Sequence, residues 1–184
     1  MKNSTDNGYD QYYNAQVAVT QNSLFIVATS LSNHPNDKQE AEPTLDALPA
    51  ELGQPEGVAM DNGYFSASNI ESTEERGIKP YIATGREAHY KHVEDLLGKL
   101  PDEPPATASP KEKMAYLLAT EIGREIYRLR KCTVEPVIGI IKEILGFRQF
   151  SLRGLKNVTG EWCLVCLAFN LKRMHSIWLA QVLY

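Results

Sequence analysis

Two acids and one basic stretch are the residues whose types and spacing could do chemistry. Asp61 ends the short apolar run from Gly57 to Met60 and precedes Asn62-Gly63-Tyr64, which lets the chain turn sharply away. An acid at the carboxyl end of a strand, ahead of a turn and a helix, sits at the mouth of an α/β sheet, where open sheets place their ligands. By position alone the simpler reading is a plain turn aspartate. Glu135 opens a helix whose first turn accommodates Pro136. Glu135, Gly139 and Lys142 are spaced i, i+4, i+7 and share one helical face, with Lys131 one turn upstream. An acid is thus bracketed by cations on the face opposite Ile138 and Ile141. Taken alone, this is a solvated ion-pair face worth about 0.2–0.5 kcal/mol per pair. From Arg124 to Lys156 there are eight Lys/Arg against three Glu, with Tyr127, Phe147 and Phe150 interleaved. Such cations can neutralise phosphates and such aromatics can stack on unpaired bases. For Phe147 and Phe150 we favour a place in the core.

The elements that must position these residues follow from local patterning. Tyr13–Val19 and Ser23–Ser30 are rich in β-branched and aromatic residues, and Thr20, Gln21 and Asn22 between them predict a hairpin. Ala15, Val17 and Val19 alternate with polar or small residues, so the first strand should be half-buried. Leu24 to Ala28 is apolar throughout, which predicts a strand central in its sheet. Residues 38–48 look helical, starting or bending at Pro43. The run at 57–60, a helix over 67–76 capped by Ser66 and stopped by Gly77, and a strand over 78–83 make a parallel crossover unit. Residues 84–110, with Pro101, Pro104, Pro105 and Pro110, predict an exposed, partly disordered insertion with a short helix around His89–Leu97. Helix is expected over Lys113–Leu129 and again over Val134–Leu145, and Glu161–Leu179 is apolar enough for a core helix.

Composition narrows the classes. The 184 residues are 43% hydrophobic, enough for a core, and no apolar run approaches a membrane span. The opening MKNSTDNGYD lacks the apolar segment of a signal peptide, so the cytoplasm is the expected location. Three cysteines cannot all pair, and Cys163-x2-Cys166 has no second pair, so these are expected to be buried thiols rather than metal ligands. The four histidines are scattered, and no phosphate-cradling glycine loop or nucleophile elbow is present. Net charge is −4 but uneven: residues 1–110 carry 7 Lys/Arg and 17 Asp/Glu, and residues 111–184 carry 12 and 6. A basic C-terminal half suits an anionic partner such as nucleic acid, or simple pairing with the acidic half.

Three blocks carry a resemblance: YNAQVAV at 13–19, MDNGYFS at 60–66 and YRLRKCTVEPVIGIIKEILGFRQFSLRGL at 127–155, with a trailing EWCLVCLAFNLKRM at 161–174. The chain resembles the C-terminal part of the catalytic domain of DDE-type transposases of bacterial insertion sequences. The resemblance implies an α/β fold of ribonuclease H-like type, a mixed sheet flanked by helices, formed by residues 1–83 and 111–184 around the insertion. It implies metal-dependent DNA strand cleavage and transfer, with three carboxylates holding divalent ions, usually Mg²⁺ with Mn²⁺ as a substitute. Asp61 matches the second acid and Glu135 the third, each as catalytic residue and metal ligand. Lys131, three intervening residues before Glu135, and Lys142, six after it, match the basic positions. Tyr127 matches the family tyrosine one residue further away than the common spacing. Tyr127, Arg130, Lys131 and Lys142 are therefore the expected DNA contacts. Partners would be transposon ends and target DNA, and a second copy of the chain, without any membrane.

The family's first acid lies on a strand upstream of the hairpin. Here only Asp6 and Asp10 precede it, in a polar, turn-like stretch. The first strand and first acid are thus expected to be missing, as in a truncated or split reading frame. Two functions follow: a catalytic fragment active when complete, or a non-catalytic remnant that binds DNA or transposase. An open hairpin edge is expected to favour association between copies.

Overall fold

A computed structural model describes residues 12–85, 102–105 and 107–182. The elements in chain order are β1 (Asn14–Val19), β2 (Ile26–Ser32), a 3₁₀ turn (Asp37–Gln39), α1 (Ala41–Asp46), β3 (Gly57–Met60), α2 (Ala67–Glu75), β4 (Lys79–Ile82), α3 (Pro110–Ala119), α4 (Glu121–Lys131), α5 (Val134–Gly139), a π-helical turn (Ile140–Ile144) and α6 (Leu155–Val182). The result is a mixed α/β protein with small sheets flanked by helices. β1 and β2 form an antiparallel pair, and β3 and β4 a parallel pair. The chain divides into two compact units, one comprising the described residues up to Gly53 and those from Lys131 onward, the other Gln54–Arg130.

In the first unit the hairpin forms as its alternation predicts, with Asn14 opposite Ser32 and Val17 opposite Thr29. A register shift at Ala18/Val19 brings Val19 opposite Ile26. The connection is longer than the three residues expected, because Thr20 organises it. The Phe25 amide donates to Thr20 Oγ1 at 3.0 Å, and Leu24 takes a positive φ of 58°. β2 is not central: among the described residues it pairs only with β1. Its apolar run has another cause, since both faces of the hairpin are covered. Ala15, Val17, Val19 and Ile26 face a core with Val137, Ile141, Trp162, Cys166 and Phe169. The other face carries polar groups: Ser30 Oγ meets Thr44 Oγ1 of α1 at 2.7 Å, and Gln16 Nε2 donates to Asp37 Oδ1 at 3.1 Å. Pro43 lies in the first turn of α1, where its missing N–H costs nothing. Glu40, immediately before α1, is only 1% exposed; its carboxylate accepts from Ser32 Oγ at 2.6 Å and meets His34 Nδ1 at 2.8 Å.

α6 is pinned to the hairpin by polar bonds as well as by packing. The Asn170 side chain accepts from the Ile26 amide at 2.9 Å and donates to the Ile26 carbonyl at 2.8 Å, so it caps the edge of β2 that faces away from β1. Trp162 Nε1 donates to the Gln16 carbonyl at 3.2 Å, and Arg173 Nε to the Ser23 carbonyl at 2.8 Å. Phe147 and Phe150 take the place in the core favoured for them, edge to face with one another and within 6.2 Å of the Trp162 ring. α6 is nevertheless not the core helix expected from its composition. Val158, Trp162, Cys166 and Phe169 are buried on one side, while Leu164, Leu167, Leu171, Met174 and Trp178 are exposed.

The loop before α6 is held by Glu161, whose carboxylate accepts from the Leu152 amide at 3.0 Å and the Ser151 amide at 2.8 Å. These backbone bonds, that from Leu152 foremost, hold its carboxyl below the usual carboxylate range. A depressed folded pKa gives stability that is present above the unfolded pKa and lost as pH falls through the folded one. Hydrogen-exchange protection of Ser151 and Leu152 should therefore be high at neutral pH and fall in acid, and Glu161→Gln should abolish the pH dependence. Protection unaltered across that range in the parent chain would show that Glu161 does not hold the loop.

In the second unit, β3 and β4 pair in parallel from Gly57 opposite Lys79 to Met60 opposite Ile82. Ser66 caps α2 by accepting from the Asn69 amide at 3.1 Å, and Gly77 ends it with φ of 71°, as patterned. Ser109 and Glu112 form a capping box at the start of α3. The single helix expected over 113–129 is instead two. Thr120 is extended (φ −63°, ψ 157°), donates Oγ1 to the Leu117 carbonyl at 2.6 Å and accepts from the Gly123 amide at 3.0 Å. One threonine thus closes α3 and opens α4. The helix expected at 89–97 lies outside the described residues.

Candidate functional site

Asp61 follows β3 directly in an extended conformation and starts a short 3₁₀ turn over Asn62–Tyr64. Its Oδ1 accepts from the Asn62 amide at 2.7 Å, which fixes the carboxylate against its own backbone. The turn is tied to α2 by Asn69, whose Nδ2 donates to the Tyr64 carbonyl at 2.7 Å. Ser66 was legible as the cap, but nothing local showed that Asn69 would also hold the turn. The second carboxylate oxygen faces Arg130 Nη1 at 3.7 Å. Asp61 stays 59% exposed whereas Arg130 is 16% exposed, so the arginine lies beneath and the carboxylate remains open to solvent. The Arg130 guanidinium stands 5.3 Å from the centre of the Tyr127 ring, one turn back on α4, in a cation–π contact.

Of the residues singled out from the sequence, Asp61, Tyr127 and Arg130 are therefore brought together within one unit. Arg130 turns inward to the acid and the aromatic ring. Its partnership with Asp61 spans 69 positions, and no local signal could have revealed it.

Glu135 lies in the first turn of α5 in the other unit and is exposed, as is Lys142 in the π-helical turn. Val137 and Ile141 are fully buried, which turns the intervening face to the core. The turn is wider than the 3.6-residue spacing assumes, since the Leu145 amide donates to the Ile140 carbonyl at 2.9 Å. Lys131 is the last residue of α4. Further along, Arg148 pairs with Glu143, while Arg153 and Lys156 are exposed.

Carboxylate oxygens are the donors that a hard divalent ion takes, and Asp61 and Glu135 are both accessible, so the donor chemistry suits such an ion. Among the described residues no three His, Cys, Asp or Glu side chains converge as a metal site. The cysteine pair splits: Cys166 is buried as expected, but Cys163 is exposed because it lies one residue off the buried stripe of α6. Burial pushes the Cys166 thiol up to about 12, so it stays protonated and is a poor ligand.

Asp61 thus ends a parallel strand ahead of a turn and a helix, and Glu135 stands exposed on a later helix with Lys142 after it. A family model described as "Transposase DDE domain" matches residues 2–171, and the chain belongs to that family. No curated protein and no solved structure matches it. Among the described residues, no helix is long and apolar enough to cross a membrane.

Proposed function

We propose that this chain works in DNA transposition as part of a ribonuclease H-like, divalent-metal-dependent domain for DNA strand cleavage and transfer, with Asp61 and Glu135 as its metal-holding carboxylates. The observation that carries this reading is Asp61: accessible, braced by its own turn, and set at the carboxyl end of a parallel strand. When bound, Mg²⁺ or Mn²⁺ supplies charge neutralisation at the attacking and leaving oxygens of an in-line phosphoryl displacement. Arg130 compensates the Asp61 charge from beneath and keeps the carboxylate oriented. Lys131 and Lys142 hold the DNA backbone on either side of Glu135, and Tyr127 fixes the Arg130 guanidinium. Water, and then a DNA 3′-OH, is the nucleophile, so no side chain need form a covalent intermediate.

The test incubates the full chain with end-labelled nicked duplex in Mg²⁺ or Mn²⁺. Asp61→Asn and Glu135→Gln should each lower cleavage at least about 100-fold, the scale of losing one electrostatic group at a reacting centre. They should leave DNA binding in place. Undiminished cleavage in both variants would remove them from the reaction. A second reading is a DNA-binding chain without catalysis, favoured by the exposed Arg124, Arg128, Lys142, Arg153 and Lys156. It would show as binding that weakens with salt, with Lys142→Ala reducing the salt slope by about one, and no cleavage in either ion.

A further inference from the structure

Asp61 offers its two carboxylate oxygens unequally. Oδ1 accepts from the Asn62 amide at 2.7 Å, so that oxygen is partly committed to the turn. The turn is itself held to α2 through the Tyr64 carbonyl and Asn69 Nδ2, which fixes the carboxylate in place. Oδ2 faces Arg130 Nη1 at 3.7 Å. Hydrogen bonds between such groups are shorter, about 2.7–2.9 Å, so the arginine attracts this oxygen by charge and is not bonded to it at that atom. Asp61 is well exposed, and water screens the attraction further.

The guanidinium is held more firmly than the carboxylate it faces. It is mostly buried and stands 5.3 Å from the centre of the Tyr127 ring. A planar cation over an aromatic face keeps its orientation better than a flexible lysine ammonium would. A fixed positive charge is therefore aimed at the more open oxygen of the acid.

We infer that Arg130 is an internal competitor for the divalent ion: its guanidinium and the ion claim the same Asp61 oxygen, and the ion takes that oxygen only by displacing the arginine. The inference rests on Asp61 as an ion ligand, as proposed above, and adds what regulates that ligand. A Mg²⁺ ion bonds a carboxylate oxygen at about 2.0–2.1 Å, which would bring its two positive charges close to a third. One carboxylate charge does not balance all three. The ion makes a direct bond and the arginine at 3.7 Å does not, so the ion prevails once its concentration is high enough. Arg130 raises the concentration at which this happens. Competition of this kind is reciprocal: whatever draws the guanidinium away strengthens ion binding by the factor by which the ion weakens the arginine's hold.

The experiment titrates Mn²⁺ into the full chain and reads the free ion from its electron paramagnetic resonance signal, with no DNA and no turnover. Arg130→Gln should bind Mn²⁺ about fivefold tighter or more, the lower end of ordinary couplings between two ligands. Arg130→Lys keeps the charge and should stay nearer the parent than Arg130→Gln does. Asp61→Asn should bind the ion less tightly than the parent, and the combined Asp61→Asn and Arg130→Gln chain should show none of the gain. In the parent chain, labelled at its arginine nitrogens, the Arg130 Nε resonance should shift as Mg²⁺ is added. That readout needs no variant, so it decides the matter even where Arg130→Gln folds poorly. Equal affinity in the parent and a folded Arg130→Gln, or an Arg130 resonance unmoved at saturating Mg²⁺, would overturn the competition. If Asp61→Asn still binds less ion in that case, the ligand stands and only the competition falls. Asp61→Asn matching the parent would instead remove Asp61 as a ligand, and the competition with it.

Discussion

Trp162→Ala is expected to destabilise the hairpin unit by about 3–5 kcal/mol, the range for losing a large buried aromatic. Trp162 is 5% exposed and sits where three supports meet. Its ring lies 6.2 Å from both Phe147 and Phe150, and Phe150 in turn packs edge to face on Tyr13 at 5.8 Å. Its indole N–H bonds the Gln16 carbonyl in β1. Alanine would leave a cavity between α6 and the hairpin and would remove one of the donors to that carbonyl, which keeps the Thr29 hydroxyl. Against a usual total of about 5–15 kcal/mol, the loss is a large share of the stability. Urea unfolding followed by near-ultraviolet circular dichroism would measure it. Trp162→Phe, which keeps most of the ring contacts and loses only the donor, should cost about 1–2 kcal/mol. If Trp162→Ala shifts stability by under about 1 kcal/mol, the residue does not anchor this core.

Gly123→Ala should destabilise the other unit by about 3 kcal/mol, the upper range of overpacking, although alanine is the better helix former by about 0.8–1.0 kcal/mol. Propensity and sterics predict opposite signs, so the measurement decides between them. A Cβ on Gly123 would stand 1.9 Å from the Leu117 carbonyl oxygen and 2.9 Å from Thr120 Oγ1. Both atoms belong to the corner that joins α3 to α4, so the corner must open. α4 then carries Tyr127 and Arg130 away from their present places, and Arg130 leaves Asp61. A fall in melting temperature with loss of the Arg130–Asp61 contact, read from salt-dependent side-chain shifts, is the expected outcome. A rise in melting temperature would mean that the corner relaxes at no cost.

Much of the fold was legible in local patterning. The alternation at 13–19, the cap at Ser66, the stop at Gly77 and the strand–helix–strand succession are set by side-chain period and by backbone conformations that few residues adopt. The acid at the end of β3 and the acid opening α5 were visible for the same reason, since strand ends and first helical turns are local features.

Tertiary structure decided the rest. The helix break at Thr120 depends on a glycine six residues from the carbonyl it approaches, a contact that no propensity encodes. The wide turn at 140–144 forms where Val137 and Ile141 are both fully buried in the core under α6, which costs the chain its 3.6-residue register. Glu40 is an ordinary charged residue in sequence, yet it is buried because Ser32 and His34 happen to reach it. Apolar content made α6 look like a core helix, but only the stripe that meets the hairpin is buried, since a sheet packs against one side of a helix. Arg130 was read as one more cation in a basic run. Its pairing with Asp61 exists because α4 passes beside the end of β3, and an ion pair between distant positions is set by that approach and by nothing in either residue's neighbourhood.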